Sequence, residues 1–330
     1  MKALVCNSYG NPSQVLGIEN KSEPNPGSGE VLVRMILSPV NPSDLLFIQG
    51  KYGNQPNLPQ TPGFEGVGIV EAGKGLLAWR VMGKRVSVIG QGDGRWQEKI
   101  IIPARQAVPM PSYLTDQQAA SFFVNPATAY VMTQKVLKIP AGGWLLQSAA
   151  TGALGKMIVK LGKKLGFHTI NIVRKQQQAE MLRKIGSDEV ISLDQGNIQE
   201  SVMKITKGKG VSYAVDAVGG EVGSQMILSL ARNGKMLVYG RMSGEPLKFE
   251  PGDIMKGQKT VQGFWLSEWA KDQGVLTMLG LFGKLGGFIR DGVLDTPAGP
   301  IFDLADYQKA INAAALDSKE GKVYLKINPS

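Results

Sequence analysis

Residues 145–166, "LLQSAATGALGKMIVKLGKKLG", decide the fold. An apolar strand runs into a turn of small residues, and a helix follows whose apolar side chains recur every three or four positions from Leu154 onward. Ala150, Gly152 and Gly155 occupy the three small positions of the dinucleotide-binding fingerprint, with alanine in the first. Small residues there let the backbone approach a pyrophosphate and let the helix pack on the strand. The stretch predicts a dinucleotide-binding unit, and an empty strand-turn-helix unit is the alternative.

The segments after this unit continue to alternate between strand and helix. The apolar stretches "HTINIV", "DEVISL", "VSYAVDAVG" and "KMLVYG" are separated by helical segments. Such alternation is typical of a parallel, doubly wound sheet, and uninterrupted apolar strands agree with burial on both faces. We therefore predict an α/β fold for the middle of the chain.

The first 120 residues have a different pattern. Short apolar segments punctuated by Gly and Pro, such as "KALVC", "EVLVRMILSPV" and "GVGIVEAG", predict a mostly β domain. One helix is predicted in "NPSDLLFIQG", where Asn41 caps, Pro42 takes the first helical position and Gly50 follows the end. The final apolar segment "GKVYLKI" predicts a strand that rejoins this domain.

Composition limits the chemistry. The chain has 330 residues, 43% of them hydrophobic and 19% charged, which suits two domains with cores and not a disordered chain. Its one cysteine, Cys6, and one histidine, His168, exclude a disulfide framework and almost every His/Cys metal constellation. Residues 61–68, "TPGFEGVG", place Phe64 where some dehydrogenases have a metal-binding histidine. We therefore expect no metal.

The charge pattern bears on partners and compartment. The formal net charge of +10 suits nucleic acid, an anionic membrane, or phosphorylated and acidic small molecules as partners. Because the lysines are spread along the chain, nucleic acid is the weakest of these interpretations. No signal sequence or leader is visible at Met1, and no apolar run approaches the length of a membrane span. We predict a cytoplasmic protein.

A cationic pair follows the second strand of the alternating half. Arg174 lies 24 residues after Ala150, near the roughly 20-residue spacing at which NAD-binding folds place an acidic residue on the ribose. An arginine there suits a 2′-phosphate, with Lys175 beside it. The predicted cofactor is NADPH, and a surface cation without that role is the alternative.

The whole chain resembles the zinc-independent medium-chain dehydrogenases/reductases of the quinone oxidoreductase-like branch, and most closely the 2-enoyl thioester reductases. The resemblance is carried by "NPSDLLFIQGKYG", "NPATAY", "TINIVR", "VDAVGG", "VYGRMSG" and "GFWLSEW". It implies a GroES-like catalytic domain formed by residues 1–122 and 266–330, a Rossmann domain over residues 123–265, and an active-site cleft between them. It also implies a homodimer joined by strands near "TVQGFW".

The resemblance assigns functional residues. Tyr52 corresponds to the proton donor, a reasonable acid for reducing a double bond conjugated to a thioester when no histidine is available; a tyrosine that only packs is the alternative. The residues expected to bind NADPH are Asn125, Thr128, Thr151, Gly152, Ala153, Leu154, Arg174, Lys175, Gln176, Tyr239, Gly240, Arg241, Met242, Phe264, Trp265, Leu266 and Lys322. For Asn125, a helix cap before Pro126 is the alternative.

The implied activity is NADPH-dependent reduction of trans-2-enoyl thioesters carried on coenzyme A or on acyl carrier protein. Both carriers are anionic, which gives the basic surface a steering role. Two alternatives stay open, an NADPH:quinone oxidoreductase and a non-enzymatic NADPH-binding protein.

Overall fold

The computed structural model describes residues 1–53, 57–90, 93–316 and 321–328. The strands are β1 (Lys2–Cys6), β2 (Leu16–Asn20), β3 (Glu30–Pro39), β4 (Glu65–Gly73), β5 (Arg85–Ile89), β6 (Lys99–Pro103), β7 (Val108–Pro109), β8 (Trp144–Gln147), β9 (His168–Val173), β10 (Glu189–Ser192), β11 (Val211–Asp216), β12 (Leu230–Val238), β13 (Thr260–Gly263), β14 (Ala298–Asp303) and β15 (Lys322–Lys326). The helices are α1 (Pro12–Val15), α2 (Pro42–Ile48), α3 (Leu76–Val81), α4 (Asp116–Ala120), α5 (Val124–Tyr130), α6 (Ala153–Leu165), α7 (Ala179–Lys184), α8 (Ile198–Ile205), α9 (Gly220–Leu228), α10 (Pro251–Met255), α11 (Leu266–Lys271), α12 (Val275–Arg290) and α13 (Tyr307–Ala315). A π-helical segment, Val131–Val136, continues α5.

The chain divides into two compact units. Unit 1 comprises Met1–Val124 and Asp295–Ser330, and unit 2 comprises Asn125–Leu294. Among the described residues, no helix is both long enough and apolar enough to cross a bilayer.

Unit 1 is built on a sheet whose strands run in the order β14-β15-β3-β4-β5-β7, with β6 pairing β3. The C-terminal strand β15 pairs antiparallel with β3, as Tyr324 opposite Pro39 shows. The predicted return of the chain end to the first domain is therefore confirmed. Apolar side chains of the strands and of α13 form one buried cluster, in which Trp96 is fully enclosed.

The helix α2 forms where its sequence predicted it. Asn41 is the N-cap, Pro42 is the first helical residue, and the carboxylate of Asp44 accepts the backbone N–H of Asn41 at 2.7 Å, completing a capping box. Gly50 leaves the helix with φ +70°, a conformation that glycine adopts without a steric penalty.

Unit 2 contains a six-stranded sheet in the order β10-β9-β8-β11-β12-β13, and all its neighbouring strands pair in parallel. The strand order changes direction between β8 and β11, which is the topological switch point at which such sheets bind ligands. The sheet confirms the predicted α/β class with a doubly wound parallel domain.

The second boundary between the units differs from the division expected at residues 265 and 266. The structure places it after Leu294 because α12 packs with unit 2. Leu281, Leu285 and Ile289 of α12 are buried, and the Lys284 ammonium donates to the Tyr130 hydroxyl at 3.3 Å. The sequence beyond residue 265 lost its strand-helix alternation, so no periodic signal assigned this helix to either domain.

Candidate active site

The turn between β8 and α6 is the nucleotide-binding feature of unit 2. Gly152 is the N-cap of α6, and because glycine has no side chain, no side-chain cap accepts the N–H groups of the first helical turn. A Cβ on Gly155 would lie 2.6 Å from the carbonyl oxygen of Ala150, so only glycine allows the helix to approach the turn this closely. The unpaired N–H groups and the partial positive charge of a helix N-terminus favour a phosphate. Thr151, Gly152, Ala153 and Leu154 supply this turn and helix start.

A buried carboxylate fixes the neighbouring turn. Asp216, the last residue of β11, accepts hydrogen bonds from the Ser148 hydroxyl at 2.6 Å and from the N–H groups of Val218 and Gly219 at 2.9 Å each. The Ser148 oxygen in turn accepts the Ala217 N–H at 2.9 Å. The carboxyl ends of β8 and β11 are thereby tied together on both sides of the switch point.

Sequence reasoning did not single out Asp216 or Ser148. A signal exists in the sequence, because Asp216 is a polar residue within the apolar stretch "VSYAVDAVG" and Ser148 closely follows the apolar residues Leu145 and Leu146. Both side chains are fully buried. An aspartate is rarely buried unless donors such as those around Asp216 satisfy its carboxylate.

The segment from Tyr239 to Met242 lies against the turn that Asp216 holds. The Tyr239 N–H donates to the Asp216 carbonyl at 2.9 Å, and the Met242 N–H donates to the Ala217 carbonyl at 3.0 Å. Gly240 approaches so closely that a Cβ there would lie 2.7 Å from the Ala217 oxygen. Burial, reinforced by the Asp216 charge, raises the pKa of the Tyr239 phenol, so this phenol stays protonated at neutral pH.

The predicted cationic pair follows β9. Arg174 and Lys175 are exposed, and their backbone N–H groups donate to the Gln178 side-chain oxygen at 3.1 and 3.2 Å. The Gln176 N–H donates to the Asp194 carboxylate at 3.3 Å, which joins the ends of β9 and β10. Because β9 is the direct neighbour of β8, the two cations stand at the same sheet edge as the phosphate turn.

The remaining predicted residues of unit 2 lie just after β13, at the start of α11 and in α5. Phe264 follows β13, is buried, and donates its N–H to the Val238 carbonyl at 2.8 Å, while Trp265 is 41% exposed. Leu266 opens α11. Asn125 and Thr128 lie in α5, where Thr128 is buried. The structure thus brings the predicted segments after β8, β9, β12 and β13 to one edge of the sheet, and α5 carries the other two residues.

Tyr52 belongs to unit 1 and follows α2. It is half-buried, and its ring lies 5.2 Å from that of Phe64, with an angle of 41° between the planes. Phe64 also makes an edge-on contact with Phe47 of α2 at 5.9 Å. The Phe64 N–H donates to Asp44 at 3.0 Å. The residue that replaces a metal-binding histidine therefore serves as the packing surface for Tyr52.

Glu65, the residue after Phe64, belongs to a network of buried polar groups. The Lys322 ammonium donates to the Asn41 side-chain oxygen and lies 3.6 Å from the Glu65 carboxylate. The Asn41 amide donates to Glu65 at 3.1 Å. The second Glu65 oxygen accepts the N–H groups of Phe123 at 3.3 Å and Val124 at 2.9 Å. Both oxygens of the buried Glu65 carboxylate therefore accept hydrogen bonds from other groups of unit 1.

Burial controls ionisation in this network. It raises the pKa of Asp44 to about 7, against the stabilising N–H of Asn41 and with the help of the Glu65 charge. Burial also lowers the pKa of Lys322, an effect that Glu65 and Asp44 oppose. Lys322 had been expected at the cofactor. Here its ammonium is directed to Asn41 and Glu65, and its contact with a cofactor stays a prediction.

The residues around Glu65 do not suit zinc. Phe64 offers no donor, and the Lys322 ammonium already supplies the positive charge that faces the carboxylate. Within the described ranges, no group of three or more His, Cys, Asp and Glu side chains is arranged to hold a metal ion.

Comparison with known proteins agrees with this architecture. Residues 27–112 match the alcohol dehydrogenase GroES-like domain, and residues 153–280 match the zinc-binding dehydrogenase family. The human mitochondrial enoyl-[acyl-carrier-protein] reductase is 31% identical over 95% of this chain and 85% of its own length.

Two solved structures extend the comparison to three dimensions. A Bacillus thuringiensis protein with a provisional assignment as an NADPH:quinone reductase superposes with a TM-score of 0.94 at 32% identity, covering 99% of both chains. The complex of Etr1p with NADP and crotonyl-CoA superposes with a TM-score of 0.85 at 26% identity, covering 98% of this chain and 99% of the other. The chain therefore belongs to the medium-chain dehydrogenase/reductase family, among relatives that include enoyl thioester reductases and quinone reductase-like proteins.

Proposed function

We propose that this protein reduces the α,β double bond of trans-2-enoyl thioesters, carried on coenzyme A or acyl carrier protein, with NADPH as the reductant. The observation that carries the proposal is the likeness over nearly the whole chain to an enoyl reductase, combined with the packing of Tyr52 against Phe64, the residue at the position of a metal-binding histidine in some dehydrogenases. The reaction adds a hydride to the β carbon and a proton to the α carbon of the substrate. NADPH supplies the hydride.

The residues of unit 2 suit this cofactor. Residues 151–154 offer backbone N–H groups at the N-terminus of α6 for the pyrophosphate. Arg174 and Lys175 offer charge-assisted hydrogen bonds to a 2′-phosphate. The segments 239–242 and 264–266 line the same sheet edge and suit the remaining parts of the dinucleotide, with Asn125 and Thr128 as polar contacts for the nicotinamide or the thioester.

Tyr52 is the proposed proton donor. Phe64 fixes the plane of the tyrosine ring, and Asp44 fixes the backbone of Phe64. The phenol hydroxyl donates its proton to the α carbon of the substrate. Removing a general acid of this kind typically costs 10²- to 10⁴-fold in rate. The Tyr52→Phe variant should therefore lose roughly 10²-fold or more in kcat while its NADPH affinity changes little.

The test compares substrates under one set of conditions. NADPH oxidation is followed with a short trans-2-enoyl-CoA, with an enoyl-acyl carrier protein and with a panel of quinones. The Bacillus thuringiensis likeness favours the quinone activity as the second candidate. Turnover confined to quinones would replace the proposal by that activity. Tight NADPH binding without turnover of any of these substrates, and without an effect of Tyr52→Phe, would identify a non-enzymatic NADPH-binding protein.

The partner and compartment complete the proposal. β13 is the last strand of its sheet, with Thr260, Gln262 and Gly263 exposed, so its outer edge suits pairing with a second copy. Sedimentation at the monomer mass would refute the proposed homodimer. We keep the cytoplasm as the predicted compartment, and because the human relative is a mitochondrial protein, cell fractionation is the measurement that decides.

A further inference from the structure

Helix α3 of unit 1 buries its smaller apolar side chains and exposes its larger ones. Its small residues Ala78 and Val81 face the core, where they are buried. Leu76 is 77% exposed and Trp79 is 76% exposed, with Leu77 and Met82 also exposed. We call Leu76, Leu77, Trp79 and Met82 the α3 patch. A surface helix normally buries its large apolar side chains, so this reversed arrangement calls for something that covers them.

The charge around the α3 patch is uniformly positive along the chain. Residues 74–85 read "KGLLAWRVMGKR" and contain four cations and no acidic residue. Lys74, Arg80 and Lys84 are exposed. Arg105, also exposed, belongs to the short helical segment 104–106 against which α3 packs. The fourth cation of the stretch, Arg85, is engaged with Asp116 at 2.7 Å.

We propose that the α3 patch is a docking surface for anionic phospholipid membranes. Tryptophan is enriched at membrane interfaces, and leucine and methionine beside it suit the acyl boundary. The exposed cations beside the patch complement anionic headgroups, and each such cation strengthens binding measurably at moderate salt. The proposal does not depend on the reaction that the enzyme catalyses.

The size of the patch favours a lipid surface over another protein. The fractional exposures correspond to on the order of 500 Å² of side-chain surface, given 150–250 Å² for a large side chain. A stable protein interface needs about 800 Å² per partner. Shallow insertion into a headgroup layer, in contrast, uses only a few apolar side chains and their cationic neighbours.

The experiment is co-sedimentation of the full chain with phosphatidylcholine vesicles, with and without phosphatidylglycerol. The unaltered protein should sediment with the anionic vesicles, stay unbound with the neutral ones, and be released by salt. The Leu76→Ser/Trp79→Ser variant should bind at least about 10-fold more weakly, because two large apolar side chains no longer enter the lipid. The matched control is Val275→Ser/Leu276→Ser, which alters two side chains of α12 that are 74% and 85% exposed, and it should bind normally.

A second variant keeps the proposal testable if the serine substitutions disturb folding. Arg80→Glu/Lys84→Glu leaves the apolar side chains in place and should abolish the preference for anionic vesicles. Trp79 emission should shift to the blue on binding, and Trp79→Phe should remove that shift. NADPH oxidation without vesicles should be the same in all these variants.

Four results would overturn the proposal. They are absence of binding, equal binding to neutral vesicles, equal loss in the α12 control, and loss of self-association as the sole effect of the patch variants. The last result would identify a second copy of the chain as the occupant of the patch.

Discussion

Replacing Lys322 by methionine should strongly destabilise unit 1. The substitution keeps most of the side-chain volume and removes the ammonium that lies 3.6 Å from Glu65. It also removes the donor that Asn41 accepts. Glu65 is fully buried, so its charge would lose its counter-ion with no water to replace it.

Two lines of reasoning give the magnitude. Two unit charges 3.6 Å apart interact by about 4–5 kcal/mol at an effective dielectric constant of about 20. Breaking one partner of a buried ion pair costs about 3–5 kcal/mol in measured cases. We therefore expect the Lys322→Met variant to lose about 3–5 kcal/mol of unfolding free energy at neutral pH. Adding Glu65→Gln to this variant removes the unpaired buried charge, and the double variant should recover more than half of the lost stability.

Native-state hydrogen exchange on the amides of β3, β4 and β15 measures this loss in unit 1 separately from unit 2. Lys2→Met, the same chemical change at an exposed position, is the control and should change stability by less than about 0.5 kcal/mol. A loss below about 1 kcal/mol, or additive effects of the Lys322 and Glu65 substitutions, would refute the reasoning. A rise in the dissociation constant of NADPH in the same variant would support the predicted cofactor contact of Lys322.

Three further predictions concern the cofactor site and the buried acid. Arg174→Ala should weaken NADPH binding by roughly 10- to 100-fold and leave NADH binding unchanged in a titration, while Lys163→Ala on the exposed face of α6 should affect neither. Gly155→Ala forces a Cβ to 2.6 Å from a backbone oxygen of the phosphate turn and should cost about 1–3 kcal/mol in thermal unfolding along with cofactor affinity, whereas Gly252→Ala, with open space around its Cβ, should cost neither. Because the pKa of Asp44 is raised to about 7, the folded protein keeps a proton on this carboxyl between about pH 4 and pH 7, whereas the unfolded chain has released it. The free energy of unfolding should therefore fall as the pH rises through that range, by up to about 1.4 kcal/mol per pH unit. The Asp44→Asn variant should lack this pH dependence.

The sequence predicted what depends on local periodicity and failed to predict what depends on distant partners. The phosphate turn and α2 each leave a signature within some twenty consecutive residues, and the parallel sheet leaves one in the repeated alternation of strand and helix along the middle of the chain. Glu65 and Lys322 are separated by 257 positions, and neither pattern around them indicates that they meet. Asp216 is an intermediate case, because its place at the end of a strand was visible while its partner Ser148 was not.

The sequence pattern also did not predict what Phe64 does at the position before Glu65. The absence of a histidine before Glu65 predicted only that no zinc is used. In the structure, Phe64 packs against the ring of Tyr52, and the Lys322 ammonium faces the carboxylate of Glu65.

The groups around Glu65 explain how unit 1 holds a fully buried carboxylate. A carboxylate in the protein interior needs a positive charge and several donors, and here one ammonium, one side-chain amide and two backbone N–H groups meet that need. Because Glu65 is fixed by these groups, the adjoining residue Phe64 is restrained too, and its backbone N–H donates to the Asp44 carboxylate at 3.0 Å. The proposed role of Tyr52 as proton donor would require a rigid support of this kind, since small errors in the position of a donor lower the rate of proton transfer. Loss of the Lys322 ammonium should therefore loosen the packing of Phe64 against Tyr52 as well. A Lys322→Met variant kept folded at low temperature should have a lower kcat, although Tyr52 itself is unchanged.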